Sequence, residues 1–350
     1  MSGFPEALRS DTATPELTDA VLLSQSPADD RPPYDPLLNF FDLPLQQVFY
    51  PRGFPVLFQT NNQEVLDAAN ESWGDHSKRF PVPQIRVQVG ILPAPTHPFT
   101  IPISRSRENL ISTIADPQNF SLCDLQKGYG FCWLSEHAVR NHGYLRYYFL
   151  EAAALNLVTA KYLTPVHGAC VAWRGKGVLL CGDSGAGKSS LSFACARRGW
   201  TFLSDDASCL LRGRQGRVVI GNPQHIHFRE SAFELFPELR SIPLRPRING
   251  DISIELATAE CKDIATAHET EVDFVLFLNR QISGSPSISV YSPDGALANL
   301  SQFLCYGDAQ QLKEQKQSLT NLLSAEVLEF RYSDLDSGVD FMRRLVEGEV

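Results

Sequence analysis

Gly182-Asp183-Ser184-Gly185-Ala186-Gly187-Lys188-Ser189-Ser190 fits the pattern G-x-x-x-x-G-K-[ST] at every required position. Its flanks have the matching character. Gly177-Val178-Leu179-Leu180-Cys181 is a short apolar run of the buried-strand kind. Leu191, Ala194 and Cys195 then recur at i, i+3 and i+4, the spacing of one buried helix face. Arg197-Arg198-Gly199 supplies cations for a last turn and a glycine to stop it. A strand, a glycine-rich loop and a helix together point backbone N–H groups at a polyphosphate.

Working outward, His167 to Trp173 reads as a strand. The turn Arg174-Gly175-Lys176-Gly177 is so short that this strand must pair antiparallel with the loop strand. After the loop helix, Trp200 to Ser204 is a short strand that runs into Asp205-Asp206. Further strands are expected at 208–211, 217–220, 272–278 and 327–330, and one through Ile288 and Val290. Turns are expected at Gln215-Gly216 and Pro293-Asp294-Gly295. Helices are expected near 308–323 and, capped by Ser333 or Asp334, through Val339, Met342 and Leu345.

On the N-terminal side, a long apolar helix from Leu145 to Leu163 ends at Thr164-Pro165, because the residue before proline leaves the helical region. It is expected to pack on the nucleotide domain. Residues 36–140 read as a small α+β domain, with strands at Val56-Leu57-Phe58 and Ile85–Ile91. Thr60-Asn61-Asn62-Gln63 has the spacing of a capping box. Residues 1–35, rich in Ser, Thr, Pro, Asp and Ala, read as a disordered acidic leader. The expected organisation is thus a leader (1–35), an α+β domain (36–140) and a phosphate-loop domain (141–350).

The chain has 350 residues and a net charge of −9, which argues against a general nucleic-acid binder and against docking on anionic membranes. No stretch approaches the ~20 apolar residues of a membrane span. The N-terminus lacks a signal pattern. The eight cysteines include no C-x-x-C. Reduced, buried thiols in a cytoplasmic protein are the expectation.

In such a loop Lys188 pairs with phosphate oxygens and Ser189 ligates Mg2+. Phosphoryl transfer also needs a carboxylate, and Asp205 and Asp206 are the nearest candidates. Neighbouring strand residues point apart, so one can serve the metal and the other take a proton from an attacking hydroxyl. His225 and His227 have metal-ligand spacing without a visible third ligand. Arg229, Arg245 and Arg247 are candidate clamps for a transferring phosphoryl group.

His167-Gly168, the segment Gly177 to Ser189, Arg198-Gly199 and Ser204-Asp205-Asp206-Ala207 together resemble the catalytic domain of HPr kinase/phosphorylase. The likeness is specific over about 165–210. It implies an α/β fold of the phosphate-loop type shared with phosphoenolpyruvate carboxykinase, placed after a smaller domain. It also implies ATP and Mg2+ as cofactors and a seryl hydroxyl of the phosphocarrier HPr as acceptor. By the resemblance, His167 lies near the phosphates, Asp206 matches the acid/base carboxylate and Asp205 the other acidic site residue. Ser190 stands where the family usually has Glu, and no Glu-Ile-Arg-Gly segment follows the paired Asp. Asn222 to Glu230 occupies that region.

The expected function is ATP- and Mg2+-dependent transfer to a hydroxyl acceptor, either an HPr-like protein or a small molecule, with self-association left open. The alternatives are an ATP-binding sensor without turnover and a small-molecule phosphotransferase.

Overall fold

The computed structural model describes residues 41–93, 98–213, 216–246, 252–304 and 307–350. The leader, Gln215, Arg247 and Cys305 lie outside them. Phe41–Val350 pack as one unit around two large sheets.

The first sheet holds β1 (Leu45–Phe49), β2 (Val56–Thr60), β3 (Ile85–Leu92), β4 (Ile103–Arg107), β5 (Leu110–Asp116), β6 (Asn119–Asp124) and β7 (Tyr129–Ser135), in the order β1-β2-β3-β7-β6-β5-β4. Alternation in β2 and β3 buries Val56, Phe58, Ile85, Val87 and Val89. They pack under helix α1 (Gln63–Trp73), which contributes Val65, Ala69 and Trp73. The start of α1 departs from the expected capping box. Asn62 is the N-cap and accepts from Glu64 N at 3.0 Å, while Thr60 Oγ1 accepts from Asn62 N. Two adjacent Asx/Thr turns thus do the work expected of one box.

The apolar segment after Leu145 is a π-helical turn (Arg146–Glu151) followed by α2 (Ala152–Tyr162). Strand β8 begins at once, at Leu163, ahead of the expected His167, and ends at Trp173 as expected. Helix α2 does not belong to the phosphate-loop layer alone. Phe149, Ala153, Leu157 and Val158 join the first sheet's core, which also includes Leu163, Cys209, Leu211 and Ile220 from the second sheet. A helix apolar all round can bury two faces at once.

The second sheet contains β8, β9 (Lys176–Cys181), β10 (Thr201–Ser204), β11 (Ala207–Leu211), β12 (Val218–Ile220), β16 (Glu269–Arg280), β17 (Ser287–Val290) and β18 (Glu326–Tyr332). A small sheet beside it pairs β13 (His225–Phe228), β14 (Arg245–Pro246) and β15 (Ile252–Ala257). Strands β8 and β9 pair antiparallel, as the short turn requires. Strand β9 also pairs parallel to β16, and β16 parallel to β18. Because β16 pairs β12, β12 pairs β11 and β11 pairs β8, these strands form a closed circuit with β9.

Helix α3 (Lys188–Arg197) and α6 (Leu335–Glu347) cover one face of this sheet, α4 (Pro293–Ser301) and α5 (Ala309–Leu322) the other. Pro293-Asp294-Gly295 is not a turn. Ser292 caps α4 there, and Pro293 occupies a first-turn position where its missing N–H costs nothing. Asp334 caps α6, which ends at Gly348 in the left-handed region. The seven described cysteines are free, and six of them are buried. Among the described residues no helix is long and apolar enough to cross a membrane.

Candidate active site

The loop Gly182–Gly187 leaves the C-terminal end of β9, and its glycines 182, 185 and 187 all take positive φ. Gly187 needs that freedom twice. Its φ is +98°, and a Cβ there would lie 2.5 Å from the Tyr332 hydroxyl. Tyr332 donates to Ala186 O at 3.1 Å, and burial pushes its pKa up to about 12, so the donor stays protonated. Helix α3 begins at Lys188 with no side-chain cap and no acidic residue in its first turn. Its N–H groups and positive dipole end are therefore left for an anion.

Lys188 is buried, 6% exposed. Its Nζ donates to Gly182 O (2.8 Å) and Asp183 O (3.2 Å), and lies 3.0 Å from His167 Nε2. Burial lowers its pKa, and the Asp206 carboxylate opposes that. An ammonium can only donate, so His167 Nε2 is an acceptor and Nδ1 carries the ring proton. Nδ1 itself lies 3.1 Å from Asp206 Oδ1. Burial likewise lowers the His167 pKa, so the ring is neutral at pH 7. Lys188 thus bonds to one side of the His167 ring, and Asp206 stands within ion-pair distance of the other. Phe303 packs against the His167 ring, with centroids 4.7 Å apart.

The pairing of β8 explains how residues so far apart in sequence meet. Strands β10 and β11 are successive antiparallel partners of the same strand: β10 runs beside Cys170–Ala172 and β11 beside Leu163–His167. Asp205 and Asp206 interrupt what is otherwise one long partner strand. Gly168 N donates to Asp206 O at 2.9 Å across the interruption. On the other edge of β8, Gly168 pairs with Cys181, the last residue before the loop. Asp206 is therefore two strand spacings, ~10 Å, from the loop strand.

Asp205 turns the other way. Its side chain is 10% exposed and Oδ2 accepts from His227 N (2.6 Å), with His227 Nδ1 at 3.1 Å. Ser189 Oγ donates to Asp205 O at 3.4 Å, so Ser189 and Asp205 are neighbours. His225 and His227 share one face of β13, and Glu255 of β15 lies 3.5 Å from the first and 3.9 Å from the second. Among the described residues no group of three or more His, Cys, Asp or Glu is arranged to hold a metal ion.

Arg229 Nη2 donates to Ser184 Oγ at 2.7 Å and so reaches the loop. Arg245, Ser190 and Ser184 line the same cleft, whose volume is about 1150 Å3. Three further lining residues escape sequence reasoning. Arg280 ends β16, the parallel neighbour of the loop strand. Glu255 and Arg52 come from β15 and from the turn after β1. No motif marks them, because only the tertiary packing brings them to the cleft.

The loop, the helix it opens and the parallel neighbours β9, β16 and β18 define a phosphate-loop kinase fold. Residues 159–233, 75 of the 350, match the family model of the HPr serine kinase C-terminal domain, which supports the HPr kinase family for that segment. Among solved structures, the Hpr(Ser) kinase/phosphatase from Coxiella burnetii matches with 14% identity and a TM-score of 0.29, over 53% of this chain and 98% of that one. No curated protein matches the chain.

Proposed function

We propose that the chain transfers the terminal phosphoryl group of ATP to a hydroxyl acceptor, as an HPr-kinase-like enzyme. The observation that carries this reading is the arrangement Lys188–His167–Asp206 at the mouth of an uncapped phosphate loop. In this reading the loop N–H groups bind the phosphates and Lys188 turns from the loop carbonyls to the β- and γ-phosphate oxygens. The ring of His167, fixed as the Nδ1–H tautomer, orients Asp206. Asp206 takes the proton of the attacking hydroxyl as its oxygen bonds to phosphorus and the bond to the β–γ bridging oxygen breaks.

The donor set near Ser189 fits Mg2+, which prefers oxygen ligands and keeps several waters. Ser189 Oγ and the Asp205 carboxylate would hold the ion, which would neutralise charge on the phosphates when bound. Asp205 is already oriented by the His227 backbone N–H.

Transfer from γ-labelled ATP, assayed on HPr-like protein and on a panel of small alcohols, tests the reading. Lys188→Ala and Asp206→Ala should each abolish transfer. Full transfer by Asp206→Ala would remove Asp206 from the acid/base role. Tight ATP binding with no transfer to any acceptor would favour a sensor instead.

A further inference from the structure

The geometry points to a second anion-binding site in the cleft, built on Arg52, which would take a carboxylate or phosphate carried by the acceptor beside its reacting hydroxyl. The inference rests on the phosphoryl-transfer reading above. Arg52 belongs to the turn Pro51–Gly53 of the first sheet, outside the segment matched by the family model.

The first observation is backbone strain. Arg52 has φ 53° and ψ 21°, a left-handed conformation that is strained for a non-glycine residue. The surroundings enforce it. Phe54 is stacked between Phe80 and Tyr162, with centroids at 4.3 and 5.0 Å. Gly53 O accepts from Arg79 N, and a Cβ on Gly53 would meet Arg79 Cβ at 2.6 Å. A strained residue held so firmly at a cleft is a candidate for function.

The second observation is the poor match of its partner. Arg52 Nη1 donates to Cys209 Sγ at 3.3 Å. A thiol is a weak acceptor for a guanidinium with five donors. Among the described residues no carboxylate stands within ion-pair distance of it. A guanidinium in this state has capacity for a bidentate anion.

The third observation is placement. Cys209 is paired with Pro165, and Ala207 with His167, on the same two strands. Residues two apart share a face of a strand, so the guanidinium reaches the face that carries the His167 side chain, ~7 Å along the strands. Arg52 and His167 both line the cleft, with Lys188 and Asp206. The cleft exceeds the usual upper volume of a single small-ligand pocket, ~1,000 Å3, leaving room for a second substrate beside a nucleotide. An acceptor whose anion rests on Arg52 would present its hydroxyl toward Asp206.

The test uses the full chain loaded with Mg2+ and a non-hydrolysable ATP analogue. It is titrated calorimetrically with D-glycerate, sn-glycerol 3-phosphate and glycerol. At least one anion should bind and glycerol should not; which anion binds distinguishes a carboxylate from a phosphate. Arg52→Gln should weaken that binding by roughly tenfold or more, while the analogue's own affinity stays unchanged. Arg52→Lys should retain part of the anion affinity. Arg52→Gly, which removes the backbone strain, should melt no lower than wild type and still lose the anion. Binding of neither anion, or equal anion binding by wild type and Arg52→Gln, overturns the site. Arg52-dependent anion binding without any phosphoryl transfer from labelled ATP would leave the site standing and sink the kinase reading alone.

Discussion

Asp205 and Asp206, joined by one peptide bond, turn their carboxylates to different histidines: Asp205 to His227 and Asp206 to His167, each at 3.1 Å. The first side chain is 10% exposed and the second 55%. This divergence fits the two roles proposed above, Asp206 as proton acceptor and Asp205 at the metal. Asp206→Asn should cut transfer by at least ~10^3-fold with nucleotide affinity unchanged, since the amide cannot take a proton. Asp205→Ala should instead lower stability by about 1–3 kcal/mol, because the half-buried His227 N–H loses its acceptor. It should also raise the Mg2+ concentration needed for nucleotide binding. Denaturant unfolding and Mg2+ titrations of both variants check the split, and identical phenotypes would refute it.

The seal between Tyr332 and the loop makes a second expectation. Tyr332→Phe removes the hydrogen bond to Ala186 O and should destabilise by about 1 kcal/mol while weakening nucleotide binding. Gly187→Ala should abolish nucleotide binding. The double variant Gly187→Ala with Tyr332→Phe should remain impaired, because relief of the clash leaves the φ of +98°. Recovery of binding in the double variant would mean that the steric contact alone matters.

Gly221 is fixed by close approach rather than by φ. A Cβ there would sit 2.1 Å from Leu203 O and 2.6 Å from Leu203 C, both backbone atoms. Gly221 N also donates to His268 O at 2.9 Å, so the segment cannot retreat without losing a bond. Gly221→Ala should cost more than about 3 kcal/mol, or prevent folding, read as a loss of denaturation midpoint. Gly175→Ala, where nothing lies within 4 Å of the added Cβ, is the matched control; its penalty is limited to the strain of φ +82°.

Two histidines should pull the pH profile of stability in opposite directions. His142 lies 2.5 Å from Glu71 and 2.7 Å from Glu64, and hydrogen bonds to these carboxylates, Glu71 first, raise its pKa above 6.5. Its contribution is complete below pH 6.5 and fades as pH rises through the raised value. Burial lowers His167 below 6.5, so the unfolded chain takes that proton first and stability falls as pH drops below 6.5. His142→Gln should therefore flatten the alkaline side of the profile and His167→Gln the acid side. Denaturation midpoints from pH 5 to 8 check both, and an unchanged slope in either variant would discard that assignment.

Much of the fold was legible because its signals are local. The antiparallel β8–β9 pair follows from a turn too short for a crossover. The loop follows from glycines at required spacings, and α6 from an apolar stripe behind a capping Asp. Failures came where local signals compete. Pro293-Asp294-Gly295 carries turn residues, but a proline is equally at home in a first helical turn, and the following Ala296 and Leu300 bury into the core and decide for helix. The apolar segment near 145–163 revealed a helix but not its neighbour, because a segment apolar on all sides does not say which sheet it covers.

Taken alone, the sequence determined the phosphate loop, the strand and helix that frame it, and the candidate residues Lys188, Ser189, His167, Asp205 and Asp206. Except for His167, which only the family resemblance marks, those rest on backbone geometry and residue type, which short stretches specify. Only the tertiary structure decided that Asp206 faces His167 while Asp205 faces His227, that Tyr332 bonds the loop, and that Arg280, Glu255 and Arg52 line the cleft beside it. Those relations depend on strand register and on which edge of β8 each partner takes, and pairing between distant segments leaves no periodic trace in the residues themselves.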